Sequence, residues 1–249
     1  MVKNFSILLL SILFVVFVSC KQKPVEEKRQ TVSHKLSPDS VRKIFEKELA
    51  YPKPNPNGPD DYLPGNRFTE MFLPLSDADY SEANVHSIKF YSYHLYGMEE
   101  MPIFDKPSDH EVYRFCWLRT FHPPVMVRFE KTKDSVLLTA RLTDGAGGYN
   151  CGRVTQRIHK SFKEKEWNEF QKIITESNFM KMSSFEKGSE LGLDGAEWLL
   201  EYKDKNNYHY VARWSPYRNG ASEDSKKFAQ SCLFLIKYLG IEFKETEIY

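Results

Sequence analysis

Two stretches decide the fold: Val125-Met126-Val127-Arg128-Phe129-Glu130 and Val136-Leu137-Leu138-Thr139-Ala140-Arg141-Leu142. In the first, Val125, Val127 and Phe129 alternate with Met126, Arg128 and Glu130. In the second, Val136, Leu138, Ala140 and Leu142 alternate with Leu137, Thr139 and Arg141. A period of two is the signature of a half-buried strand, because successive side chains leave a strand on opposite sides. Placing both apolar sets on one face sets Phe129 opposite Val136 and Val127 opposite Leu138. An even-length turn around Thr132-Lys133 must then close the hairpin.

The same pattern extends in both directions. Val112 to Thr120 reads as a strand of mixed character on both faces, cut off by Pro123-Pro124, and Val154 to Lys160 as a fourth strand. Ser161-Phe162-Lys163-Glu164 has capping-box spacing, and Trp167, Phe170, Ile173 and Ile174 supply the stripe of a helix that Asn178 can end. Ala196, Trp198, Leu200 and Tyr202 alternate with Glu197, Leu199, Glu201 and Lys203 in a fifth strand, and Tyr208 to Trp214 forms the sixth. If Trp198 and Leu200 share a face with Ala212 and Tyr210, an odd-length loop spans Lys203 to Asn207. Glu201 then faces His209, and Glu197 faces Arg213. A final helix starts near Ser222, turns Phe228, Cys232, Leu235, Ile236 and Leu239 inward, and stops at Gly240. The expectation is an α+β domain: a twisted antiparallel sheet of about six strands with helices packed on one face, over residues 111–249.

The amino-terminal segment has a different character. Lys3 precedes an apolar run from Phe5 to Val18, interrupted only by Ser6 and Ser11 and too short for a bilayer span, which needs roughly 18 or more apolar residues. It fits the apolar region of a signal peptide over residues 1–19. The run ends in Phe17-Val18-Ser19-Cys20, which resembles a bacterial lipobox, with phenylalanine at the usual leucine position. The resemblance implies cleavage before Cys20 and lipid attached to its thiol, an anchor of two or three long chains at about 0.8 kcal/mol per buried methylene. Residues 20–36 then read as the lipidated cysteine and a polar tether. Lys21 stands where an aspartate would signal inner-membrane retention in enteric bacteria, so the expected location is the cell envelope, at the outer membrane.

Residues 37–110 read as a helix plus a Pro/Tyr-rich segment packing on the main domain. Ser37-Pro38 opens the helix, Val41, Ile44, Phe45 and Leu49 line one face, and prolines 52, 54, 56, 59 and 64 end it. Ile88 to Tyr96 is tyrosine-rich and reads as a strand. Phe90, Tyr91, Tyr93 and Tyr96 suit either a stacking platform for a sugar ring or peptide or, the preferred reading, the edge of the core.

Removing residues 1–19 takes one lysine and no acid, leaving 34 basic against 34 acidic residues in 230. A neutral chain has no global electrostatic attraction to nucleic acid, where neutralised phosphates dominate affinity, so nucleic acid is set aside as a partner. With Cys20 committed to lipid, Cys116, Cys151 and Cys232 remain and read as buried small hydrophobes rather than a bridge with one thiol left over.

No reactive constellation stands out. The seven histidines show no His-Glu-x-x-His and the cysteines no Cys-x-x-Cys, so metal and cofactor sites are not expected. A zinc site from His159 and His209 on facing strands, with Asp144 or Asp194, is the weaker reading of those histidines. Asp144-Gly145-Ala146-Gly147-Gly148 lacks the following Gly-Lys-Ser/Thr of a phosphate loop and reads as a turn, as does Asp194-Gly195. Glu197 and Glu201 share a strand face, but predicted partners Arg213 and His209 would keep them charged, the wrong state for a general acid. The candidate ligand-binding set is basic: Arg128, Arg141, Arg153, Arg157 and His159 point away from the apolar face, where they suit an anionic glycan or peptide, or a solvated face balanced by glutamates.

Trp117-Leu118-Arg119-Thr120-Phe121-His122-Pro123, Asp144 to Tyr149, Gly192 to Trp198, Tyr208-His209 and Arg213-Trp214-Ser215-Pro216 together resemble a group of uncharacterised bacterial proteins, over about residues 110 to 240. That resemblance implies no activity and transfers no catalytic residue. The functional expectation is a lipid-anchored envelope protein acting as a non-enzymatic binding or interaction module, with the membrane and an envelope protein or anionic glycan or peptide as partners. The alternative is an envelope hydrolase with a site assembled from loops near Asp144, Tyr149 and Asp194.

Overall fold

A computed structural model describes residues 72–74, 81–104, 108–186, 194–218 and 221–249. The expected signal segment, Cys20, the tether and the helix opened by Ser37-Pro38 lie outside the described residues. Six antiparallel strands, β1 (Glu111–Arg119), β2 (Val125–Lys131), β3 (Val136–Thr143), β4 (Val154–Phe162), β5 (Ala196–Lys203) and β6 (Tyr208–Trp214), form one sheet in the order β4-β3-β2-β1-β5-β6. Among the described residues three α-helices accompany them: α1 (Glu82–Gly97), α2 (Glu164–Glu176) and α3 (Glu223–Lys237). The expected α+β fold is observed.

Helices α2 and α3 cover one face. Trp167, Phe170 and Ile174 of α2 and Phe228, Cys232 and Leu235 of α3 pack on Phe115, Trp117, Val127, Phe129, Trp198 and Leu200. Lys163 N–H donates to Glu166 Oε2 at 3.0 Å at the start of α2. The cap thus lies two residues past the expected Ser161 and has only the Glu166 half of a capping box, because β4 keeps pairing through Phe162. Asn178 ends that region in a left-handed conformation, and Ser222 caps α3 by accepting from Ser225 N–H at 3.1 Å.

The opposite face carries α1, which corrects the reading of Ile88 to Tyr96 as a strand. Ser81 accepts from Asn84 N–H at 3.1 Å, and Val85, Ile88, Ser92 and Leu95 recur at helical spacing and are buried. Tertiary burial of that stripe overrides the strand preference of four aromatic residues. Tyr91 and Leu95 pack with Cys116, Leu118, Met126, Leu199 and Tyr210, so both faces of the sheet are covered.

Two registers differ from expectation. Phe129 pairs with Leu138 and Lys131 with Val136, one pair away from the predicted match. Thr132 N–H donates to Ser135 O at 2.9 Å and its hydroxyl accepts from Ser135 N–H at 3.1 Å, which makes the loop four residues long. The shift is by two residues, so every side chain keeps its predicted face. Between β5 and β6 the slip has odd parity: Glu201 pairs with Tyr210, Glu197 with Trp214 and Leu200 with Val211. The predicted register, with its odd loop, is wrong. Asp204 Oδ1 accepts from the N–H groups of Asn206 and Asn207 at 2.7 and 2.6 Å, which closes a loop spanning Asp204 to Asn207. Strand β6 is therefore turned over, with Val211 in the α2/α3 core and Tyr210 and Ala212 facing α1.

Candidate functional site

Three loops meet at the end of the sheet where β1 stops and β5 starts. Thr120 N–H and hydroxyl both donate to Gly195 O, at 2.9 and 2.8 Å, and Gly148 N–H donates to Thr120 O at 3.2 Å. Gly147 lies so close to β1 that a Cβ there would stand 2.5 Å from Arg119 N, which explains a glycine in that turn. Gly195 has a similar constraint, since its Cβ would sit 2.5 Å from the Trp214 ring.

Between this end of the sheet and the first half of α1 lies a cavity of about 470 Å³, walled by Phe90, Tyr91, Thr120, Tyr149, Glu197 and Trp214 among others. That size falls within the roughly 300–1,000 Å³ of small-molecule sites. Tyr149 is 67 % exposed at the mouth, with the exposed Phe121 ring 6.4 Å away, and Arg218 stacks on Trp214 at 4.9 Å. Glu197 reaches the cavity from β5, where its strand neighbours are Leu118 and Trp214. The Tyr91 hydroxyl donates to Glu197 Oε2 at 2.6 Å. Burial pushes the Glu197 carboxyl above its ordinary range, a rise that the Tyr91 hydrogen bond only partly offsets. Burial, with the charge of Glu197, holds the Tyr91 phenol well above its own. The site therefore presents a hydrogen-bonded carboxyl–phenol pair among aromatic rings.

This arrangement corrects the predicted ion pair of Glu197 with Arg213. With β6 turned over, Arg213 lies on the α2/α3 side, where its guanidinium donates to Ser183 O at 3.0 Å and Ala212 O at 2.7 Å. Nor does Glu201 face His209. It takes a two-point contact from Arg114, Nε to Oε2 at 2.6 Å and Nη2 to Oε1 at 2.7 Å, and accepts from the Tyr208 hydroxyl at 2.8 Å. His209 is at 2.9 Å from Phe179 O instead.

The basic set is brought together only in part. Arg141 and Arg157 are direct partners on β3 and β4, Arg128 is paired with Thr139 on β3, and Thr139 with His159. All four predicted residues face the α1 side, where Arg128 and Arg141 are partly covered and Arg157 and His159 on the edge strand β4 stay exposed. Helix α1 ends in a Schellman turn, with Glu99 N–H donating to Tyr96 O and Glu100 N–H to Leu95 O, and Glu99 adopts φ +61°. The turn delivers Glu99 to Arg157 and to Arg141, the latter at 4.0 Å, and Glu100 to Arg114 and Arg128 at 3.3 and 3.0 Å. Arg153 stands apart, paired with Asp144 at 3.2 Å. The stripe is balanced by its own chain's glutamates.

His159 and His209 occupy opposite edge strands, so the zinc arrangement fails on topology. Among the described residues no group of three His, Cys, Asp or Glu is placed to hold a metal ion. Cys116, Cys151 and Cys232 are free and buried, and burial pushes the Cys151 thiol up to about 11. Of the loop residues named for the alternative site, Tyr149 lines the cavity, whereas Asp144 and Asp194 do not. Sequence reading missed Glu197 as a buried carboxyl because its partner comes from α1, whose helical spacing at Val85, Ile88, Ser92 and Leu95 was the available signal.

No protein-family model matches the chain, and no curated protein is similar to it at a significant level. Among the described residues no helix is long and apolar enough to cross a membrane.

Proposed function

We propose that this chain is a lipid-anchored cell-envelope binding module, held at the outer membrane through Cys20, that takes its ligand in the Glu197–Tyr91 cavity. The observation that carries the binding role is a cavity of about 470 Å³ whose aromatic walls surround a carboxyl already oriented by a phenol. Such a site is mostly apolar with a few placed polar groups, the composition of ligand pockets. The anchor rests on the lipobox Phe17-Val18-Ser19-Cys20. Metabolic labelling with an alkyne fatty acid, followed by membrane fractionation, tests it: label and membrane association are expected in the wild type and lost in Cys20→Ser. Label retained in that variant refutes the anchor.

An envelope hydrolase is the second reading, favoured by one observation: a carboxyl with a raised pKa is a general-acid candidate. Against it, Glu197 is the sole carboxyl among the described lining residues, whereas hydrolysis by paired carboxylates needs a second. Turnover of a glycoside by the wild type that disappears in Glu197→Gln would establish the hydrolase and overturn the non-enzymatic assignment.

A further inference from the structure

Resting on the binding-module reading, we propose that the cavity between α1 and the β1–β5 end of the sheet takes an uncharged saccharide, a pyranose ring stacked on its aromatic wall with hydroxyls on Glu197 and Tyr91. Three observations select this ligand class. Among the described lining residues there is no lysine or arginine, His86 is the one basic side chain, Arg218 is taken up over the Trp214 ring, and Glu197, the one carboxyl there, opposes an anionic group. The anion-attracting arginines lie elsewhere on the sheet and are already engaged by Glu99 and Glu100. An anionic glycan would bring its charge against the Glu197 carboxyl.

The second observation concerns the backbone around the cavity. Binding of an extended peptide usually adds a strand to an exposed edge and uses free N–H and C=O groups. Here Thr120 N–H is bonded to Gly195 O, Gly148 N–H to Thr120 O, Ser215 N–H to Ala196 O at 2.7 Å, and Ala196 N–H to Ser215 Oγ at 3.0 Å. These four N–H groups are thus taken, so a ligand beside them meets the Tyr149, Tyr91 and Glu197 side chains rather than that backbone.

The third is the pairing of surface types. A pyranose offers an apolar face of C–H bonds and a rim of hydroxyls that both donate and accept. Tyr149, exposed at the mouth, and Trp214 supply ring surface for the first, while the carboxyl–phenol pair supplies acceptors and donors for the second.

The test uses the full chain in detergent, titrated by isothermal calorimetry and saturation-transfer NMR with cello-, malto-, chito-, manno- and xylotetraose. Tetragalacturonate and tetra-alanine serve as the anionic and peptide arms. At least one uncharged saccharide is expected to saturate, with transfer concentrated on the C–H protons of one ring face. Tyr149→Ala, whose exposed side chain makes loss of folding an unconvincing explanation, should weaken it roughly three- to tenfold, the range of one aromatic contact. Glu197→Gln, checked for folding by circular dichroism, should weaken it as well. Failure of all five saccharides, or saccharide binding unchanged in both variants, overturns the proposal. Tetra-alanine or tetragalacturonate binding alone, lost in the same variants, overturns the uncharged-saccharide assignment while upholding the cavity as a binding site.

Discussion

Arg114 and Glu201 face each other across β1 and β5 as a two-point ion pair, with both side chains fully buried. Burial alone would pull the Arg114 pKa down, but the charge and hydrogen bonds of Glu201, joined by Glu100, outweigh it and leave the group above its ordinary value. Arg114 also donates to Met101 O at 2.6 Å, so its planar fork is occupied on each side. Removing one partner of such a pair strands the other without water. Arg114→Met is expected to cost about 3–5 kcal/mol in urea unfolding. A loss under 1 kcal/mol would mean that water reaches Glu201.

Glu99 and Glu100 are adjacent but should respond differently. Glu100 is buried between Arg114 and Arg128, whereas Glu99 is half-exposed and pairs with Arg157 and Arg141 near solvent. Glu100→Gln should destabilise by about 1–3 kcal/mol, the penalty for removing charge from a buried hydrogen-bonded group. Glu99→Gly should change stability by less than about 1 kcal/mol, because losing exposed ion pairs is offset by relief at the positive φ. Thermal denaturation of the two variants side by side checks the contrast.

His94 gives the domain an acid limit. Burial lowers its pKa to about 4, and its Nδ1 lies 2.9 Å from Phe90 O. The folded state therefore prefers the neutral ring. Its contribution is intact above the unfolded value near 6.5 and is lost as pH falls toward 4, about 3 kcal/mol over that interval. Urea midpoints between pH 7 and pH 4 should fall in the wild type, and the fall should be smaller in His94→Gln. Equal slopes would dismiss the ring as the source.

Glu197 acts with the opposite sign. A folded pKa raised by burial means that the protonated form stabilises the fold at low pH and that this contribution is lost as pH rises from about 4.3 through the raised value. Glu197→Gln keeps the hydrogen-bonding shape without the ionisation. Its stability should lose that decline, and at neutral pH the variant should be at least as stable as the wild type. Calorimetric scans across pH 4 to 8 measure the difference.

The loop at Asp144 to Gly148 should tolerate no side chain at Gly147. A methyl group there would press on Arg119 N and Leu118 C, backbone atoms that cannot rotate away. Gly147→Ala is expected to destabilise by about 2 kcal/mol, and the cavity wall formed by Gly148 and Tyr149 should shift with it. An amide NMR spectrum unchanged around Tyr149 would contradict this.

Strands β2 and β3 and the helices α2 and α3 were legible because each shows one clear period, from Val125-Val127-Phe129 to Trp167-Phe170-Ile174, whereas β1 is buried on both faces and was legible only as an apolar run. The β5–β6 register was not. Helix α1 covers the second face, so Tyr210 and Val211 are both buried and alternation no longer says which points inward. The fate of the arginines depended on the same helix. Arg128, Arg141 and Arg157 were correctly placed on one face, but the acids that neutralise them arrive through a turn at Glu99 that no local pattern announces.

The order β4-β3-β2-β1-β5-β6 also has a kinetic meaning. Every ladder except β1–β5 joins strands consecutive in the chain and can zip from a short loop. The remaining ladder must bring Arg114 to Glu201, 87 positions away, and pays the largest closure entropy in the sheet. Two prefabricated meanders, one of four strands and one of two, thus dock along a single central seam. The ionic clasp at its middle gives a mis-slid docking no way to settle.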